Sequence, residues 1–225
     1  MNRPVRLFLI LLALIGVAAV LLATNLDYVA EYAISENGSA MTKAAVSVDT
    51  VKIASAKGKG TIGKLEVGNP AGFKTPHAFK AGTIEIDFDL ASLTSDAVVI
   101  RVITISGPDV IYEHDETTTN FDAIQNNIVA QLGTMRRNNN TGGIKLIVEE
   151  LSIYNATAWA SAPFMGGKTI SIPLQDITLR NIGKDRGGVT QEELGVVVTG
   201  ALKARLAGAA SIDKLAKAAE TPFNQ

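Results

Sequence analysis

The stretch GKGTIGKLEVGNPAGFKTP, residues 58–76, changes character at its middle and decides how the rest of the sequence is interpreted. Up to Val67 its side chains alternate between polar and apolar, which is typical of a β-strand with one buried face. Asn69 and Pro70 then end the strand, because asparagine favours turns and proline cannot donate a hydrogen bond to a ladder. An aromatic residue, Phe73, follows the stop. We expect it to fold back over the open end of the sheet, either as a plug of the core, which we favour, or as a ligand contact.

The same alternation recurs in several short segments of the chain, with a turn composition between the last two. In residues 83–90, Ile84, Ile86, Phe88 and Leu90 share one face and acidic side chains share the other. The sequence SGPD, residues 106–109, has the composition of a turn. Short strands joined by turns, with no long helix between them, predict an antiparallel meander. The predicted strands are 45–53, 60–67, 83–90, 97–105 and 110–113.

Three segments have helical periodicity instead. Residues 27–41 are expected to form a helix that ends near Gly38, and residues 117–131 a second one. A third helix, 191–217, begins after a capping box formed by Thr190 and Glu193. Its apolar side consists mainly of small residues. We therefore expect this helix to lie along the sheet and to cover part of the apolar sheet face formed by the second half of the chain.

A second copy of the opening pattern follows at an offset of 86 residues. Residues 65–70 match residues 151–156, and the same offset places Phe73 on Trp159, Ile84 on Ile170 and Ile86 on Ile172. Such self-similarity predicts two similar structural units. In the second unit Asn155 would turn the chain as Asn69 does in the first.

The N-terminus carries an unbroken apolar run of 17 residues, 7–23, preceded by Arg3 and Arg6 and followed by acidic residues. Together with its apolar flanks this run approaches the ~30 Å thickness of a bilayer core. The basic residues before it predict a cytoplasmic N-terminus and a remainder across the membrane. A cleaved signal peptide is the alternative, but cutting after Ala23 or Thr24 would put a leucine at the −3 position, where a small residue is required, so we favour an uncleaved anchor.

Composition excludes several classes of function. The formal net charge of −1 offers no general attraction to nucleic acid, and the absence of cysteine excludes disulfides and thiol chemistry. Acid–base chemistry has only His77 and His114 available. The sequence EHDE, residues 113–116, is either a metal or proton-transfer cluster or, as we favour, a solvated turn. We therefore expect no enzyme activity, no cofactor and no metal.

Three segments carry a family resemblance. LEVGNPAGF (65–73), AGTIEIDFDLASL (81–93) and ITISGPDVIYE (103–113) resemble the N-terminal region of bacterial AsmA-like proteins. The resemblance covers about residues 1–125. It implies an inner-membrane anchor, a periplasmic domain, and a curved sheet whose apolar groove handles lipid; it brings no catalytic residues.

These observations predict a mainly β protein with flanking helices (α+β), containing a transmembrane helix, a curved antiparallel groove in two similar units, and a C-terminal amphipathic helix. The expected parts are 1–26 (anchor), 27–125 (first β unit with its leading helix), 126–189 (second β unit) and 190–225 (helix and tail). The favoured function is lipid handling or outer-membrane assembly in the bacterial envelope, from the inner membrane, with phospholipid and other envelope proteins as candidate partners and no nucleic acid. The alternative is a scaffold without lipid cargo, whose apolar face its own helices fill. The candidate groove residues are Ile84, Ile86, Phe88, Leu90, Phe73, Trp159, Ile170 and Ile172.

Overall fold

The computed structural model describes residues 27–54, 57–137, 145–211 and 214–217, and within them the chain is a mixed α+β protein dominated by one sheet. Three long helices accompany the sheet: α1 (Asp27–Thr42), α2 (Asn120–Arg137) and α3 (Gln191–Ala209). Among the described helices, none has the length and apolar character needed to cross a bilayer. The predicted anchor at residues 7–23 lies outside the described residues.

Ten strands form the sheet, and most of them come from the segments that alternate in sequence. Two predicted strands differ from those in the structure. The strand predicted to begin at residue 83 begins at Phe79, and the strand predicted at 45–53 is divided into two. The strands are β1 (Val46–Ser47), β2 (Thr50–Ala54), β3 (Lys59–Val67), β4 (Phe79–Phe88), β5 (Ala97–Ser106), β6 (Asp109–Glu113), β7 (Lys145–Tyr154), β8 (Thr157–Ser161), β9 (Ile170–Ile172) and β10 (Ile177–Ile182).

Several pairs of consecutive short strands lie end to end and pair with the same neighbour, as one longer strand would. We call each such pair, and each long single strand, a row, and the sheet has six rows. β1 and β2 both pair with β3, and β5 and β6 both pair with β4. β7 and β8 pair with β5 and β6 respectively, and β10 and β9 pair with β7 and β8. The rows follow one another in chain order: β1–β2, β3, β4, β5–β6, β7–β8 and β9–β10.

A single bend crosses the sheet where the rows divide. The strand registers on both sides of it place six residues opposite one another, and we call them the bend line: Asp49, Lys64, Gly82, Gly107, Asn155 and Gln175. Three of them have left-handed backbone, with φ of 52° at Lys64, 56° at Gly107 and 54° at Asn155. Hydrogen bonds continue across the bend, since the Gly107 N–H donates to the Tyr154 carbonyl over 2.9 Å. The sheet is therefore bent without being cut.

Two expectations about the topology are wrong. The segment 106–109 does not reverse the chain, because β5 and β6 lie along the same edge of β4. The meander is also not wholly antiparallel, since β5 pairs with β7 and β6 with β8 in parallel. Parallel neighbours need a long crossover, and α2 provides it. The predicted unit boundary at 125 falls within α2, and both predicted units contribute strands to the same sheet.

The three helices pack beside one another on the apolar face of the sheet. α1 contacts β1 and β2, α2 contacts β6 and both other helices, and α3 contacts β10. Each helix buries a stripe of apolar side chains spaced three, four or seven residues apart, as expected for a helix with one face in the core. These stripes are Ala30, Ile34 and Met41 in α1; Phe121, Ile124 and Ile128 in α2; and Leu194, Val198, Leu202 and Leu206 in α3.

The predicted start of α3 is confirmed, whereas the predicted ends of α3 and α1 are not. The capping box of α3 is confirmed, since the Thr190 side chain accepts from the Glu193 N–H and the Glu193 side chain accepts from the Thr190 N–H. α3 ends at Ala209, earlier than predicted, and residues 214–217 are helical again. Gly38 does not end α1, because the helix continues through it and buries Met41.

Candidate functional site: an apolar cavity beneath the helices

The predicted groove residues on β4 lie in the core. Ile84, Ile86 and Phe88 are all buried in the same hydrophobic cluster as the helix stripes. Their side chains therefore pack against the chain itself, and the apolar face of β4 is filled. Ile172 in β9 is buried in this cluster as well, and Ile170 is partly buried against it.

Leu90 was expected on the same strand face as Phe88, and this expectation is wrong. The pairing of β4 with β5 shifts between Asp87 and Phe88, and the strand ends there. Asp89 caps a 3₁₀-helix at Leu90–Thr94, with its carboxylate accepting from the Ala91 N–H over 3.2 Å. Leu90 is 40 % exposed. An Asp in capping position ended the strand two residues earlier than the alternation alone predicted.

Phe73 and Trp159 do not occupy equivalent positions. Phe73 lies half-buried in the loop between β3 and β4, whereas Trp159 lies within β8, opposite Ile111 and Ser171. The expectation that Trp159, like Phe73, folds back over an open end of the sheet is therefore wrong. The chain passes Asn155 at the bend line and re-enters the sheet, because β6 offers β8 a parallel partner.

The loop that carries Phe73 is tied to the sheet by a buried polar network that the sequence analysis did not identify. Both oxygens of the Glu113 carboxylate accept from this loop, Oε1 from the Lys74 N–H and Oε2 from the Thr75 N–H and hydroxyl. Asn69 donates to the Thr75 carbonyl over 2.8 Å and accepts from Asn120 over 2.9 Å. The Asn120 side chain also accepts from the Glu113 N–H. The network joins residues 69–75 to residues 113–120, which are distant in sequence, so no local motif marks it.

The sequence EHDE therefore does not form a solvated turn throughout, and its side chains diverge. Glu113 is 4 % exposed and holds the loop, and His114 Nε2 lies 2.7 Å from the Ala210 carbonyl just beyond α3. Asp115 accepts from the Glu116 N–H in a tight turn. Within the described residues, no group of three or more potential ligands could hold a metal ion.

Close to His114, α2 and α3 are joined by an ion pair between Asp122 and Lys203. Burial disfavours the charged form of Asp122, but hydrogen bonds from Lys203 and Thr119 outweigh it and hold the pKa of Asp122 below its ordinary value. The hydrogen bond to Asp122 raises the pKa of Lys203. Burial raises the pKa of Tyr112, whose ring meets the His114 ring edge-on at 5.2 Å. Asp122 and Lys203, on α2 and α3, therefore lie near Tyr112 on β6.

Between the three helices and the sheet lies a cavity of ≈ 70 Å³. The end of α1, one side of α2 and the first three turns of α3 form its walls, with β3 and the start of β4 as its floor. Its lining is almost entirely apolar and consists of Met41, Thr42, Val67, Ala78, Phe79, Phe121, Ile124, Ile128, Gln191, Gly195, Val198, Thr199 and Leu202.

Two glycines of α3 face side chains of α2 in this contact. A Cβ at Gly195 would stand 3.9 Å from Ile128 Cδ1, and one at Gly200 would stand 3.2 Å from Gln125 Nε2. The neighbour that packs closely against α3 here is α2. Gln191 is one of three polar residues in the lining, with Thr42 and Thr199, and is 3 % exposed. Sequence reasoning missed it, because a glutamine at the first position of a helix is ordinarily solvated.

The fold and its cavity define a mixed α+β protein with three helices seated on one face of a bent sheet. Comparison of the sequence with protein-family models gives no match, and comparison with curated proteins gives none either.

Proposed function

We propose that this chain is a non-catalytic interaction module of the bacterial cell envelope, tethered to the inner membrane by residues 7–23 with its folded part in the periplasm. The observation that supports this function is the filling of the apolar sheet face by the chain's own helices. Ile84, Ile86 and Phe88 are closed off together with the stripes of α1, α2 and α3. A surface already filled in this way leaves the opposite face of the sheet to meet a partner.

That opposite face is exposed and carries paired charges. Asp87 lies between Lys59, at 3.4 Å, and Arg101, at 2.6 Å, and Arg180 lies 3.0 Å from Glu150 on the neighbouring rows. Val102, directly opposite Asp87 in the pairing of β4 with β5, is 38 % exposed in the middle of this face. An apolar side chain among satisfied charges suits the centre of a protein interface, where polar groups form the rim.

A matched pair of variants tests the role of this face. Val102→Asp changes the exposed sheet face, and Val129→Asp makes the same change on α2, where Val129 is 48 % exposed. We expect crosslinking in intact membranes to lose its protein adducts in Val102→Asp and to keep them in Val129→Asp. Equal melting temperatures establish that both variants fold. Adducts that survive in Val102→Asp would contradict the proposed interface.

The anchor is tested separately. A reporter fused after Gln225 should be active only outside the cytoplasm, and the protein should resist carbonate extraction. Release of a soluble, shortened species would instead identify residues 7–23 as a cleaved signal peptide.

Lipid handling is the second candidate function, supported by the apolar cavity and by the AsmA-like segments. At ≈ 70 Å³ the cavity is about half the size of an engineered cavity of ~150 Å³ that binds one benzene. A lipid chain would therefore enter only if the helices moved away from the sheet. Phospholipid retained by the full-length chain, measured by mass spectrometry, should then fall in Thr199→Leu, which fills the cavity. It should not fall in Thr61→Leu, which is exposed on the sheet. Equal retention would contradict lipid handling through the cavity.

A further inference from the structure

The cavity beneath the helices contains a polar atom whose bonding is incomplete. Gln191 lines the cavity and is buried, and its amide oxygen Oε1 has no hydrogen-bond partner within the described part of the chain. Buried acceptors in folded proteins are almost always paired. An acceptor left unpaired in an apolar surrounding favours a donor that arrives from outside the chain.

The other side chains of the cavity do not supply that donor. The Thr42 hydroxyl already donates to the Gly38 carbonyl over 2.9 Å and accepts from the Ala44 N–H. Apart from Gln191, Thr42 and Thr199, the lining consists of glycine and apolar residues. Thr199 lies two helical turns from Gln191 along α3, since the rise is about 1.5 Å per residue and the separation is about 12 Å. The donor for the Gln191 oxygen therefore comes from outside the side chains that line the cavity.

We propose that this cavity binds a small, largely apolar molecule that carries one hydroxyl donor, with the hydroxyl on Gln191 Oε1 and the hydrocarbon part among Ile128, Gly195 and Val198. The cavity size favours a short alkyl group, since benzene occupies an apolar cavity about twice as large. This site needs neither the membrane anchor nor a protein partner. It therefore goes beyond the proposed interaction function and can fail or succeed independently of it.

Two isomers of the formula C4H10O provide the test. 1-Butanol and methyl propyl ether have the same atoms, but only the alcohol donates a hydrogen bond. Each is titrated into the full-length chain in lipid nanodiscs, and binding is followed by NMR of labelled methyl groups at Ile124, Ile128 and Val198. We expect saturable shifts at these methyl groups and a dissociation constant for the alcohol about 3- to 10-fold lower than for the ether, the ratio that one net hydrogen bond produces.

A near-isosteric variant assigns the preference to one side chain. Gln191→Met keeps the shape of the side chain and removes the acceptor, so the two isomers should bind it equally. Gln175→Met is the control, because Gln175 is exposed and contacts Arg205 instead of the cavity. The isomer comparison on the wild-type chain remains decisive even if Gln191→Met does not fold. Equal binding of the isomers to the wild-type chain, preference for the ether, or shifts that do not saturate would each overturn the proposal.

Discussion

The hydroxyl of Thr75 donates to the carboxylate of Glu113 over 2.6 Å, although 38 residues separate them in sequence. This bond fixes the loop after β3 to the end of β6. The loop bears the Asn-Pro-Ala-Gly-Phe sequence that ends the strand, so the exit from β3 is stabilised by a residue that the chain reaches only later.

Replacing Glu113 with glutamine should destabilise the fold by about 2 kcal/mol, because the amide leaves one buried donor of the loop facing another donor. Urea denaturation measures the change. Glu116→Gln is the matched control, since Glu116 is exposed, and its effect should stay within about 0.5 kcal/mol. A Glu113→Gln protein as stable as the wild type would show that the network does not hold the loop.

Acid should weaken the contact between α2 and α3. The pKa of Asp122 is lowered in the folded state, so its contribution to stability is present above the unfolded pKa of about 3.9 and is lost as the pH falls through the folded pKa. The pair is partly exposed, so we expect at most about 1 kcal/mol. Urea midpoints at neutral pH and down to about pH 3 should show a shallower acid decline for Asp122→Asn. Asp96→Asn, at an exposed position, should decline as the wild type does. An unchanged decline in Asp122→Asn would contradict the assignment.

Leu202 is expected to be among the most sensitive positions of α3, because it is buried between the helices and the cavity. Leu202→Ala should lower the free energy of unfolding by about 2–5 kcal/mol, as for other buried leucines. Val129→Ala on the exposed side of α2 should change it by less than about 0.5 kcal/mol. If Leu202→Asp left the melting temperature unchanged and abolished liposome binding, α3 would belong to the membrane instead of the sheet.

The bend should depend on Gly107 and Asn155, which share a left-handed backbone conformation and differ in their side chains. Gly107→Ala places a Cβ on left-handed backbone, which should cost about 1–2 kcal/mol. Asn155→Gly relieves that conformation and should be close to neutral, since asparagine already tolerates it. Thermal unfolding of both variants measures the difference. Equal effects would show that backbone strain does not set the bend.

The local part of the fold could be predicted from sequence because its causes are local. Alternation marked the buried side of Ile84, Ile86 and Phe88, and the Thr190–Glu193 capping box marked the start of α3. The left-handed conformation of Asn155 follows from the same turn chemistry that pointed to it. In each case the residues that determine the structure are near neighbours in the chain.

What the sequence did not predict depends on distant partners. Gly107 and Pro108 indicated an interruption of the strand, but only the neighbouring rows determine that the chain continues along β4 instead of turning back. The burial of Glu113 requires Thr75 and Asn120, and Gln191 lines a cavity whose walls come from all three helices. Nothing local distinguishes these polar residues from solvated ones. The candidate cavity was therefore missed, and four of the eight expected groove residues, Ile84, Ile86, Phe88 and Ile172, lie in the core.

The bend line also restricts how this chain can change in length. A deletion of one residue between Ala97 and Gly107 would move the bend of that row out of step with Asn155 beside it and with Gly82 on its other side. In each of the six rows, the number of residues between the start of the row and the bend line must therefore stay matched to that of its neighbours. Insertions and deletions should be tolerated in the loops between rows, whereas inside a row they require compensating changes in its neighbours.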